Sequence, residues 1–189
     1  MLGLILLALF AQDPPVQPVK VPVGSHPYVV SSASMEPGFI EGDIVLADQS
    51  RGDCGNTIPK AGDVVIQSRN GVPWIRRVIA GPGQTVQMIN GRLYIDGLEA
   101  VRKPLAEGPS GGGTLYAEPL PNGARYQIQD LGDGFLDNTE VLSIGPDQWF
   151  LMGDNRDNAI DSRADGSVPT QAICATVYAR QQDGAWVPL

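Results

Sequence analysis

The stretch VPWIRRVIAGPGQ, residues 72–84, decides how the rest of the chain is read. Its first eight residues have the β-branched and aromatic content of a strand. Side chains on a strand alternate between two faces. Trp74, Arg76 and Val78 therefore line one face, and Ile75, Arg77 and Ile79 the other. Both faces are largely apolar, yet each carries a permanently charged arginine, which only a paired or hydrogen-bonded setting tolerates. The run ends in Gly81-Pro82-Gly83, a turn signal.

Outward from this strand, the turn chemistry repeats. Asn70-Gly71 separates DVVIQSR from VPWIRRVI, and Asn90-Gly91 separates QTVQMI from RLYIDG. Both are two-residue hairpin signatures, because each turn position needs positive φ. Asn122-Gly123 and Asp133-Gly134 mark later turns. With 23 glycines and 16 prolines and no long amphipathic helical pattern, the chain reads as mainly β and antiparallel. Hairpins are expected at 62–79 and 84–98, a final strand near 172–180, and a loop or insertion over KPLAEGPSGGGT, 103–114.

The 189 residues suit one core. A formal charge of −8 argues against a nucleic-acid surface, which needs a basic face. Residues 1–11, MLGLILLALFA, are apolar throughout but shorter than the roughly 20 residues of a full bilayer span. Three readings stand: a secretory apolar core, although no Lys or Arg precedes it; a short or partial anchor; or a buried first strand, which the lack of alternation argues against. Export or anchoring places the remainder outside the cytoplasm. Residues 12–27 form a Pro-rich, semi-rigid connector, and 28–189 the β domain. Cys54 and Cys174 fit no metal spacing, and no metal or other cofactor is expected. They are a disulfide in an oxidising compartment or two buried thiols; the sequence leaves both open.

Three polar clusters sit on this scaffold. In SSASMEPGFIEGDIVLAD, 31–48, Ser32 and Ser34 lie two apart, so an extended segment presents both hydroxyls on one side. The small residues around them leave room for a peptide backbone. In GDNRDNAIDSRADG, 153–166, carboxylates and arginines crowd together directly after the apolar run WFLM. That density points to a turn held by side-chain hydrogen bonds and ion pairs. The Arg76–Arg77 pair is the third cluster.

Taken in order, these clusters resemble the signature boxes of bacterial type I signal peptidases, membrane-bound serine endopeptidases with a Ser/Lys dyad. Ser32-Ala33-Ser34-Met35-Glu36-Pro37 matches a Ser-x-Ser-Met-x-Pro box, and Gly62-Asp63 entering a strand resembles the next. Ile75-Arg76-Arg77-Val78 through Gly83 resembles the strand of the general base. Gly153-Asp154-Asn155-Arg156-Asp157-Asn158, continuing to Asp161-Ser162-Arg163, matches the last. The similarity runs from about 28 to 180.

The resemblance implies a β-rich catalytic domain behind an apolar N-terminal segment, extracytoplasmic and next to a lipid surface. It implies Ser34 as nucleophile, and Ser32 with the Ser34 backbone N–H as oxyanion hole. Arg77 is implied to pair with Asp154, Asp161 with Arg163, and Gly153 to support the site. The implied substrates are exported preproteins, cut at their signal peptides after small residues in Ala-x-Ala. The chain departs from the family at the lysine position, which holds Arg76, and arginine does not give up its proton near neutral pH. Ala159 also stands where a serine is common. The reading adopted from sequence is a signal peptidase I-like serine endopeptidase; the alternative is an inactive homologue that binds signal sequences or a partner peptidase. Among substitute acceptors, His26 qualifies by type but sits in the connector, and Asp161 through water is weaker. The nearest lysines are Lys60 and Lys103, and Lys60 sits in the Gly-Asp box, where the resemblance gives it no catalytic role.

Overall fold

A computed structural model describes residues 19–109 and 112–189. In chain order its strands are β1 (Ser25–Val29), β2 (Ile44–Asp48), β3 (Val64–Arg69), β4 (Val72–Ala80), β5 (Thr85–Ile89), β6 (Arg92–Ile95), β7 (Leu98–Glu99) and β8 (Lys103–Glu107). Then follow β9 (Thr114–Pro119), β10 (Arg125–Asp130), β11 (Leu142–Ser143), β12 (Gln148–Met152), β13 (Val168–Pro169), β14 (Ile173–Gln182) and β15 (Ala185–Pro188). Among the described residues one short α-helix, α1 (Ser162–Asp165), precedes β13. The fold is mainly antiparallel β.

The largest sheet runs β1-β2-β14-β3-β4-β12-β13, with β15 beside β14. Strands β5, β6, β7 and β11 form a second sheet, and β8, β9 and β10 a third. Asn70 and Gly71 both have positive φ and turn β3 into β4; Asn90 and Gly91 do the same between β5 and β6. Strand β4 joins the cores. Ile75 packs with Val45 and Ile66, Val78 with Val65 and Leu151, and Ile79 with Met88 and Phe150. Each arginine of β4 is thus fixed on both sides by buried apolar neighbours, which leaves its side chain little freedom of direction.

Four expectations need correction. Strand β14 is not the last, because Asp183 and Gly184 turn it back into β15. The second hairpin stops at Ile95, where Asp96-Gly97 starts a third strand, β7. Residues 103–107 are strand β8, not loop; β8 is an edge, where Pro104 costs no ladder hydrogen bond. The sheet also begins at Ser25, inside the stretch read as connector, because β1 pairs along β2 from Ser25 to Val29. Cys54 and Cys174 form a disulfide. The apolar run 1–11 lies outside the described residues, among which no helix is long and apolar enough to cross a membrane.

Candidate active site

Ser32 is extended, and Ser34 follows in a single tight 3-10 turn, Ala33–Met35. Met35 is fully buried against Val30 and Phe39 and anchors that turn. The two hydroxyls come within 3.0 Å of each other. Behind Ser34 runs the chain leaving β12. The Asn155 N–H donates to the Ser34 carbonyl at 3.1 Å, and Asn155 Nδ2 to the Ala33 carbonyl at 3.2 Å. This approach needs Gly153, since a Cβ there would stand 2.5 Å from the Ser34 carbonyl oxygen.

Arg76 reaches the same hydroxyl. Its Nη1 donates to Ser34 Oγ at 2.9 Å and to the Ile75 carbonyl at 2.6 Å, and Nη2 donates to the Ile160 carbonyl at 3.0 Å. The guanidinium lies 4.8 Å from the Trp74 ring centroid and the residue is 3 % exposed. Burial pulls its pKa below the usual arginine value, partly offset by the field of Asp161. Even so, an arginine remains the proton-holding partner of a serine. In this contact Ser34 Oγ accepts and Arg76 donates.

Arg77, pointing the other way, is fully paired. Nε and Nη2 donate to the two oxygens of Asp154 at 2.7 and 2.6 Å, and Nη1 to the Gly62 carbonyl at 2.9 Å. Burial opposes its charge, but Asp154 outweighs burial and holds the pKa above normal. Asp161 and Arg163 form a second two-pronged pair, both contacts 2.8 Å. Asp161 also accepts the N–H groups of Arg163 and Gly153, capping α1 and fixing the turn after β12. With both oxygens so occupied, Asp161 is poorly placed to receive a proton from Ser34.

The structure therefore brings Ser32, Ser34 and Arg76 into one constellation and sets Gly153, Arg77–Asp154 and Asp161–Arg163 around it. It does not bring in His26, whose Nδ1 bonds the Pro27 carbonyl at 2.8 Å and whose ring lies on Tyr28. Lys60 has an exposed side chain, and its backbone N–H caps onto Asp63. One supporting group was not read from sequence. Glu118 is fully buried, accepts from Arg156 and from the Tyr126 hydroxyl at 2.6 Å, and the Tyr126 ring carries Arg77 at 4.5 Å. Burial, reinforced by Glu118, pushes the Tyr126 phenol well up. Its only sequence signal was an acidic residue in an otherwise apolar strand.

Two clefts share Ser32, Trp74 and Arg76, and Ser34 lines the second. One, about 240 Å³, is lined by Tyr28, Val30, Ser32, Val45, Ile66 and Ile75, with Arg76 at its end. The other, about 320 Å³, runs past Ser34 and Arg76 to Phe135, Asp157 and Ile160. Strand β12 pairs with β4 only from Arg77 to Ala80, so Val72–Arg76 keep one backbone edge unpaired by it, bordering the first cleft.

A family model described as signal peptidase, peptidase S26, matches residues 4–181. Signal peptidase I of Bacillus amyloliquefaciens is 30% identical over 142 residues, covering 72% of this chain and 64% of that protein. Signal peptidase I of Pseudomonas aeruginosa is 29% identical over 154 residues, covering 73% and 54%. The chain thus spans less than two thirds of the length of these relatives. A crystal structure of a signal peptidase I from Enterococcus faecalis V583 covers 64% of this chain and 97% of its own, with 22% identity and a TM-score of 0.40.

Proposed function

From the premise that this chain belongs to the signal peptidase family, peptidase S26, we propose that it recognises the signal peptides of exported preproteins at a serine-endopeptidase site whose hydrolytic step is held back by Arg76. In this reading an extended segment lies along the free edge of Val72–Arg76, adding a strand to it, with alternate side chains entering the apolar cleft. A cleft of about 240 Å³ walled by Val30, Val45, Ile66 and Ile75 suits small apolar residues such as those of Ala-x-Ala. Ser34 is the nucleophile of such a site, and Ser32 and the Ser34 backbone N–H are its oxyanion donors. The protein works on the extracytoplasmic side of a membrane, with residues 1–11 at the lipid.

The observation that carries this reading is the 2.9 Å contact in which Arg76 donates to Ser34 Oγ. A serine becomes a nucleophile when a neighbour takes its proton; here the neighbour only gives. Binding is left intact and hydrolysis slowed. A second reading, an active endopeptidase, draws on Asp157. It lines the Ser34 cleft, and burial raises its carboxyl above the usual range, so it is available as an acceptor through water.

The full chain in detergent, given a preprotein bearing Ala-x-Ala, separates the two. Arg76→Lys is expected to cut about 10²–10⁴-fold faster than wild type, the range a positioned general base contributes, and Ser34→Ala not at all. Wild type cutting as fast as Arg76→Lys would establish the second reading. Cleavage surviving in Ser34→Ala would remove Ser34 from the site.

A further inference from the structure

The buried charges around Ser34 do not balance. Asp154 is matched by Arg77, Asp161 by Arg163, and Glu118 by Arg156. Arg76 is equally buried, and among the described residues no carboxylate forms an ion pair with it. Its partners are neutral oxygens: one hydroxyl and two carbonyls. Asp161 lends it a favourable field, but that carboxylate's oxygens are taken by Arg163 and by backbone N–H groups. Asp165 is spent at the surface on Arg69, at 3.0 Å. One positive charge without an ion pair is left where the two clefts meet, and Asp157, also without an ion pair, lines the second cleft beyond it.

We propose that the groove is a receptor for the free C-terminal carboxylate of a peptide ending in small residues, a signal peptide already cut, with Arg76 as its anchor. The inference rests on the reading of the groove as a signal-peptide site and adds which form of the peptide it holds. A chain end lying along β4 and stopping at Ser34 brings its carboxylate to Arg76 Nη1 in place of the neutral Ile75 carbonyl, and leaves the bond to Ser34 Oγ in place. Ser34 Oγ already accepts from Arg76, so its own proton is free to donate to that carboxylate. Ser32, 3.0 Å away and exposed to the cleft, offers another hydroxyl. Three donors thus converge on one anion, and charge-assisted bonds of this kind are roughly twice as strong as neutral ones. An uncut preprotein presents a neutral peptide carbonyl at the same place and leaves the charge of Arg76 unmatched.

The test measures fluorescence polarisation of three labelled peptides on the full chain in detergent. One has an apolar run ending in Ala-Leu-Ala with a free acid; the second is its C-terminal amide; the third continues for ten residues beyond the last alanine. The acid is expected to bind about ten- to hundredfold more tightly than the other two, the range for a hydrogen-bonded charge contact. In Arg76→Gln that preference falls to near unity, while in Arg76→Lys part of it remains. Equal binding of all three peptides to wild type overturns the carboxylate proposal and leaves the groove reading standing. Binding of none of them overturns both. The acid–amide comparison is made on wild type, so it stands even where the Arg76 variants fold poorly.

Discussion

Removing the Asp154 carboxylate should cost this fold more than any single change at Ser34 or Arg76. Asp154 is 1 % exposed and accepts two short bonds from Arg77. In Asp154→Ala the Arg77 guanidinium keeps the Gly62 carbonyl and the Tyr126 ring, but no anion. It cannot escape by losing its proton, because arginine holds it across the whole accessible pH range. Breaking one side of a buried pair typically costs about 3–5 kcal/mol, a large part of the roughly 5–15 kcal/mol that holds a domain together. At about 2–4 °C per kcal/mol for a chain of this size, the melting temperature should fall by roughly 6–20 °C. The assay is a thermal melt of the full chain in detergent, followed by circular dichroism, for wild type, Asp154→Ala and the double variant Arg77→Met with Asp154→Leu. The double variant removes both charges and should regain most of the loss, since apolar replacement of a whole buried pair is often near neutral. An Asp154→Ala melt within about 2 °C of wild type, on the same scale, would refute the argument that this pair holds the turn behind Ser34.

Two further outcomes follow from other parts of the structure. The Cys54–Cys174 bridge spans a sequence separation of 120; reduction should cost about 2–5 kcal/mol by constraining the unfolded chain less, so melts with and without dithiothreitol should differ in wild type and coincide in Cys54→Ser. Burial, opposed by the Leu131 N–H and reinforced by Asp130 and Asp137, raises the Asp157 carboxyl; a folded pKa above the unfolded one penalises the native state once pH rises through it. Asp157→Asn should therefore melt higher than wild type at pH 7, with the gain fading as pH falls to about 4, the unfolded carboxylate value; an equal gain at both pH values would show that charge is not its cause.

Local chemistry was legible where a residue's own backbone preference decides the outcome. Asn70-Gly71 and Asn90-Gly91 announce their turns because few other pairs tolerate positive φ at both positions. Asp96-Gly97 and Asp183-Gly184 make turns with the same sign of φ, but the short strands beyond them lack a clear alternating pattern. Strand β8 was hidden by Pro104 and the glycines after it; only its pairing with β9 makes it a strand. The place of β14 between β2 and β3 depends on contacts across more than a hundred residues, which no local window contains. At the site, residue type and spacing marked the polar clusters that hold Ser34, Arg76 and Asp154, and the resemblance to the signal peptidase boxes singled those residues out. Glu118 did not, because what marks it is burial beside Arg156, 38 positions away.

The two arginines of β4 show how one local pattern yields opposite electrostatics. Arg77 lies across from Val64 and meets a carboxylate; Arg76 lies across from Val65 and meets a hydroxyl and two carbonyls. Burial among apolar groups favours the neutral form of any base. A lysine at position 76 would respond by giving up its proton and becoming an acceptor for Ser34. Arginine cannot, so the same burial becomes a penalty offset only in part, by the Ile75 and Ile160 carbonyls and the face of Trp74. Ala159, 7 % exposed and lining the same cleft, supplies no hydroxyl to share that load. The substitution therefore does more than delete a proton acceptor. On the proposed reading of the groove, it turns the groove's end from a place that removes a proton into one that attracts negative charge, and what such a groove should hold most tightly is the end of a chain already cut.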